Sequence, residues 1–265
     1  MMPAQELTLG ITLAVLGAGL LHASWNALLK AAPGGDPMLD TASVVAGSSV
    51  CALLVLPFVP LPDPAAWKFV AISSTIHFAY YVTLAHAYRM GDLSFAYPLM
   101  RGSAPLIVAV LGIVVLHEVP SGHAALGILL ICAGIVSLAF VRRARHPPAA
   151  AGWAFSNAGI IALYTLVDGG GARASGNAVA YVTWLIFLEG LPFLAWIVWR
   201  RGAPAVVYLR RGWRRGLLGG ACSLAAYGIV LFAALIGAFW LKEGFGAMRL
   251  AGAASVVAGV AALKL

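Results

Sequence analysis

Ala79-Tyr80-Tyr81-Val82-Thr83-Leu84 opens a stretch that runs through Tyr88-Arg89-Met90-Gly91-Asp92-Leu93, Tyr97-Pro98-Leu99-Met100-Arg101-Gly102 and Ala104-Pro105. It closes on Leu111-Gly112-Ile113-Val114-Val115-Leu116-His117-Glu118. A shorter version returns near the C-terminus, opening at Ala226-Tyr227-Gly228-Ile229-Val230-Leu231 and closing at Ile236-Gly237-Ala238-Phe239-Trp240-Leu241-Lys242-Glu243. From Tyr80 to Glu118 is 38 positions and from Tyr227 to Glu243 only 16, so the second version is 22 residues short. That deficit is about one membrane-spanning helix of sequence. A chain that repeats apolar segments in this way is read as a duplicated set of membrane spans.

Composition agrees. Hydrophobic residues make up 62% of the 265, charged residues only 10%, and the mean hydropathy is +0.94. Soluble domains average roughly 25% charged. Apolar runs of about 20 residues recur along the length, which reads as a multi-span helical membrane protein. A β-barrel is excluded because its strands alternate polarity over about 10 residues. A single signal peptide ahead of a soluble domain fails too, since the apolar runs continue to the end.

Span one is expected at about 9–29, span two at 40–59, span three at 66–88, span four at 93–116 and span five at 122–141. A basic linker, 142–150, divides a first repeat (9–141) from a second (151–265). Span six is expected at about 152–168, ending in Asp168-Gly169-Gly170-Gly171. Span seven follows at about 178–199, then a loop at 200–215 with six arginines. Gly216 to Leu241 is one apolar run of 26 residues, about 39 Å at roughly 1.5 Å per residue. That suits one tilted crossing and is too short for two. The last span is expected at about 246–263. The halves match in order, with Trp25 paired to Tyr164, the tyrosine-bearing stretches paired, and His117-Glu118 paired to Lys242-Glu243. The missing residues fall between Leu231 and Phe232. The fold expected is therefore all-α and polytopic, two inverted five-helix repeats with the second shortened, giving nine spans.

Of 17 Lys and Arg against 9 Asp and Glu, net +8, most lie between spans. The first, third, fifth and seventh loops carry eleven cations; the second, fourth and sixth carry Lys68 and Arg173. The positive-inside rule puts the cation-rich loops, including 142–150 and 200–215, in the cytoplasm and the N-terminus outside an inner membrane. Topology thus explains the basic charge, and nucleic acid is not expected as a partner. The expected partners are the lipid bilayer and a small-molecule substrate, and a homodimer is also open to it. Cys51, Cys132 and Cys222 stand alone in separate runs, without metal or disulfide spacing. Gly127, Ala133 and Gly134, with Gly252, Gly259 and Ala261, read as packing surfaces.

An ionised group within a span is costly unless it faces a water-filled cavity or a partner. Arg101, between Pro98 and Pro105, is the leading candidate for a cavity group; its fork suits a carboxylate. A structural ion pair or a snorkelling side chain would explain it otherwise. His22, Trp25 and Asn26 share a helix face at i, i+3 and i+4, and His77, Tyr80 and Tyr81 repeat that spacing. These six, with Tyr97, Tyr164 and Tyr227, are cavity candidates, although interhelical hydrogen bonding accounts for them nearly as well. Glu189 and Asp168 are candidates for a proton relay; Glu189 could equally be a protonated packing residue bonded to a carbonyl freed by Pro192. His117-Glu118 and Lys242-Glu243 read as helix ends. The cavity is expected to be lined by spans one, three, four, six and the long run 216–241.

The pattern His22-Ala-Ser-Trp-Asn-Ala-Leu-Leu-Lys30, Tyr88-Arg-Met-Gly-Asp-Leu93, Tyr97-Pro-Leu-Met-Arg101 and Leu116-His-Glu118 resembles EamA-type transporters of the drug/metabolite transporter superfamily. The resemblance spans roughly 10–141 and 152–263. It implies ten helices in two inverted repeats around a central cavity. It also implies efflux of small metabolites, often amino acids or related compounds, without ATP. This chain departs from it where members carry the end of the eighth helix and the start of the ninth. No GxxxxGK[ST] is present, which leaves a secondary mechanism by elimination. No cofactor and no metal are expected, and no nucleophile–base constellation points to an enzyme. The competing expectation is a non-transporting remnant or a subunit that needs a partner.

Overall fold

The computed structural model describes residues 4–30, 35–117, 119–120, 122–140 and 146–240. Among them there is no strand. Nine helices follow in order: α1 (Ala4–Lys30), α2 (Pro37–Val55), α3 (Trp67–Met90), α4 (Leu93–Leu116), α5 (Gly122–Phe140), α6 (Pro148–Ala174), α7 (Ala178–Arg201), α8 (Ala203–Arg211) and α9 (Trp213–Trp240). Four described segments are long and apolar enough to cross a membrane: Pro37–Phe58, Leu93–Val115, Pro148–Ala174 and Ala178–Arg201. The protein is an all-α polytopic membrane protein. α3 is less apolar for a reason visible in the packing. It turns Ser73, His77, Tyr80, Tyr81 and Thr83 into the bundle and leaves Ile72 to the outside.

Local chemistry sets the helix ends. Asp36 caps α2, accepting hydrogen bonds from the N–H groups of Met38 (3.0 Å) and Leu39 (3.3 Å), with Pro37 at the first position. Asn177 caps α7 through Ala180 N–H at 3.0 Å. α4 stops where His117 enters the left-handed region at φ 56°. Gly202, at φ 61°, turns α7 into α8, a position where a side chain would be strained.

Two parts of the chain differ from the sequence expectation. Asp168-Gly169-Gly170-Gly171 does not end its helix; α6 continues to Ala174. The glycines serve close packing instead. A Cβ on Gly171 would lie 2.3 Å from the Tyr181 ring, and one on Gly170 would lie 2.8 Å from Phe69. The 200–215 stretch is also not a plain loop, because α8 and the first turn of α9 occupy it. Of the small residues expected to pack, Gly134 is exposed with open space around it, and Gly252, Gly259 and Ala261 lie outside the described residues. α2 and α9 instead meet backbone to backbone at Gly47, Gly216 and Gly220, where added Cβ atoms would fall 1.9 to 2.4 Å from the opposing chain. Such contacts are how membrane helices gain van der Waals contact without a hydrophobic drive.

The neighbour relations have an internal symmetry. Exchange α1 with α6, α2 with α7 and α3 with α9, and the packed pairs map onto one another. The α3–α6 contact becomes α9–α1, α2–α9 becomes α7–α3, α2–α3 becomes α7–α9, and α2–α7 maps onto itself. α4 packs on α5 and on α6. α9 is one unbroken helix over the run read as a single crossing.

The loops sort to two ends. Arg201 Nη2 lies 3.3 Å from Asp36 Oδ2, and Tyr208 donates to Asp40 Oδ1 at 2.6 Å, which ties the connection after α7 to the start of α2. At the opposite end of α2 and α7, Asp63 N–H bonds to the Ser175 carbonyl at 3.2 Å.

Candidate functional site

Two polar clusters lie inside the bundle, joined by aromatic rings. The first gathers on α1, α3 and α4. Arg101 Nη2 points to His22 Nδ1 at 3.4 Å, and Trp25 Nε1 donates to the same nitrogen at 3.1 Å. Guanidinium and indole can only donate, so Nδ1 of His22 accepts and the ring proton belongs on Nε2. Asn26 donates to the His22 carbonyl at 2.8 Å and accepts from the hydroxyl of Tyr88. Among the described residues no carboxylate pairs with Arg101. Its electrostatic neighbours are the phenols of Tyr80, Tyr97, Tyr164 and Tyr227. The hydroxyl of Tyr97 is buried without a partner.

Pro98 and Pro105 do not break α4, which runs through both. Pro105 lacks the N–H that would bond the carbonyl four residues back, and that carbonyl belongs to Arg101 itself. The turn carrying the guanidinium thus also offers an acceptor without its helical donor.

The second cluster lies on α3, α6 and α7. Glu189, 5% exposed, accepts from Tyr81 at 2.7 Å on Oε1 and faces His77 Nδ1 at 3.2 Å on Oε2. His77 Nδ1 also lies 3.0 Å from the Ser73 carbonyl. A carbonyl only accepts, so this nitrogen carries the ring proton. Asp168, equally buried, accepts from Tyr181 at 3.0 Å and bonds Ser73. Asn157 of α6 braces α3 by donating to the Tyr80 carbonyl at 3.0 Å and to Thr83 at 2.9 Å.

The rings between the clusters form one wall. His77 stacks on Tyr164 at 4.3 Å, Tyr80 meets Tyr164 edge-on at 5.6 Å, and Tyr227 donates to the Tyr164 hydroxyl at 2.8 Å. His22 meets Tyr227 edge-on at 5.4 Å. Against this wall is a cavity of about 20 Å³, room for a water or two. Trp25, His77, Tyr80, Tyr81, Glu189 and Tyr227 line it, along with Thr41, Val44, Val45 and Ser48 of α2.

The structure therefore brings together His22, Trp25, Asn26 and Arg101 at one end, and His77, Tyr81, Glu189 and Asp168 at the other. Tyr80, Tyr164 and Tyr227 lie between. The lining comes from α1, α2, α3, α7 and α9, so α2 and α7 stand where spans four and six were expected. Arg101, Tyr97 and Tyr164 lie behind the first layer. His117 is exposed at the end of α4, away from both clusters. Glu118, Lys242 and Glu243 lie outside the described residues, as do 142–145 and the last expected span. Ser73, Tyr88, Asn157, Tyr181 and the α2 wall were missed. For α2 a signal existed: Thr41 and Ser48 stand seven apart in an apolar run, with Val44 and Val45 on the same face.

The family model described as the EamA-like transporter family matches residues 8–140, half of the chain. Among curated proteins none matches this sequence.

Proposed function

Because the chain belongs to the EamA-like transporter family, we propose that it is a secondary transporter that exports small metabolites by alternating access, amino acids or related carboxylates among them. The observation that carries this reading is Arg101, a guanidinium inside a membrane helix with no acid beside it among the described residues. Such a charge is costly to keep without a counter-ion. A substrate carboxylate would supply one, held bidentately by the fork and aided by the free hydroxyl of Tyr97. The cavity admits only water in this arrangement, so a substrate is accommodated when the helices part and is enclosed when they close. The chain is proposed to span the inner membrane as two inverted repeats meeting along α2 and α7. Its N-terminus would lie outside and the arginines of 200–215 in the cytoplasm.

The test is a strain in which expression of the chain confers resistance to a toxic metabolite or analogue. Arg101→Ala should abolish the resistance, and Arg101→Lys should keep only part of it, since the charge stays and the fork is lost. Undiminished resistance in Arg101→Ala would remove the anchor role.

A second reading follows from the unbroken α9. On the proposed repeat, α9 alone stands where the first half has α3 and α4, so among the described residues the second half holds fewer long helices with which to rock. On that reading the chain works only beside a partner, and expressed alone it would confer no resistance.

A further inference from the structure

We propose that His77, Glu189 and Asp168 form a proton-binding site that opens on the cavity and serves as the coupling group of the transporter. The coupling rests on the transporter reading; the proton binding does not. Three helices contribute one imidazole and two carboxylates, all buried, with His77 1% exposed. Among the described residues no group is suited to hold a metal ion.

Charge bookkeeping decides what the cluster needs. One imidazolium can offset one carboxylate, so with both acids ionised the trio keeps one negative charge. The further cation among the described groups facing it is Arg101, separated from it by Tyr80 and Tyr164. The other groups at this level are neutral donors. Glu189 meets Tyr80 and Tyr81 of α3, Tyr164 of α6 and Tyr227 of α9. Asp168 meets Tyr181 of α7. α2 brings only the hydroxyls of Thr41, Ser48 and Ser49, and α1 brings His22, which accepts from Arg101 rather than facing the acids. A proton delivered through the cavity to Glu189 Oε2 would leave the trio neutral without moving any helix, and its departure by the same route restores the charge.

A second observation points the same way. His77 Nε2 is buried without a hydrogen-bond partner, although its own Nδ1 is surrounded by acceptors. A ring held only to brace helices would have no reason to leave that nitrogen bare beside a cavity it lines. Without a partner there, the imidazolium can pass its Nε2 proton to water that enters and take it back. Glu189 shares the same cavity with Trp25, Tyr80, Tyr81 and Tyr227, rings whose faces attract cations. A protonated amine reaching the carboxylate would displace the proton, and this mutual exclusion is what proton exchange requires.

The test needs no substrate. The full chain is reconstituted in liposomes on a solid-supported membrane, and the external pH is stepped while current is recorded. Protons moving to a site within the bilayer displace charge, so the wild type should give a transient current. Glu189→Gln should reduce it several-fold, and so should His77→Gln, which guards against one variant failing to fold. Tyr208→Phe, outside the spans, should leave it unchanged. A current as large in Glu189→Gln and His77→Gln as in the wild type, or none from folded wild type, overturns the proposal. If the current is absent while Arg101-dependent resistance persists, the proton site is wrong and the transporter reading stands. If the current is present without resistance, the proton site holds and the transporter reading falls.

Discussion

At the scale of single residues, the charged and titratable side chains inside spans were legible because each stands out in an apolar run. Arg101, Glu189, Asp168 and His77 needed only the cost of burying a charge in a membrane. Their partners were not legible. Tyr181, Ser73 and Asn157 are ordinary residues for a membrane helix, and what makes them part of the site is contact across helices. Asn157 reaches Thr83 and Tyr81 reaches Glu189, 74 and 108 positions apart. Tyr81→Phe should cost about 1–3 kcal/mol, because it leaves a buried carboxylate oxygen without its donor. Thermal unfolding of the purified protein would register the loss; an unchanged midpoint would mean that water replaces the hydroxyl.

At the scale of elements, glycine carried two meanings that sequence alone could not separate. Gly169-Gly170-Gly171 has the composition of a breaker, yet α6 runs through it because Tyr181 and Phe69 occupy the space that side chains would need. Gly171→Ala should therefore destabilise by about 1–3 kcal/mol, the usual cost of overpacking, despite alanine's better helix propensity. Gly47→Ala should be more severe, since its Cβ would meet the backbone of α9 at 1.9 Å rather than a side chain that can turn away. A melting series comparing both with Gly134→Ala, which faces open space, checks the order. α8 was hidden in an arginine-rich stretch, and Tyr208 fastens it to α2. Burial, with the Asp40 bond second, pushes the Tyr208 hydroxyl up to about 12. The neutral hydroxyl makes the bond, so its contribution is whole below the ordinary tyrosine value near 10. It is lost as pH rises through about 12. An ultraviolet titration should show one tyrosine of the wild type ionising near pH 12 that is missing from Tyr208→Phe.

At the scale of the whole molecule, exchanging α1–α3 with α6, α7 and α9 maps packed pairs onto packed pairs, the relation that the proposed duplication requires. The all-helical class was readable because apolar length alone dictates it, and α9 runs as one helix through the apolar run to Trp240. The wall formed by α2 and α7 was not, since which helices meet depends on small residues such as Gly47 and Gly190 fitting one particular neighbour. Reporter fusions at 209 and at 61 should fall on opposite sides of the membrane, with 209 cytoplasmic; both on one side would contradict the packing of α2 against α7 and α8. The measurement that tests the account most directly is metabolite profiling of the medium around cells carrying an empty vector, the wild-type chain or Arg101→Ala. The account predicts that at least one small carboxylate rises several-fold with the wild type and returns to the vector level with Arg101→Ala. Three identical media, with both proteins folded in the membrane, would contradict it.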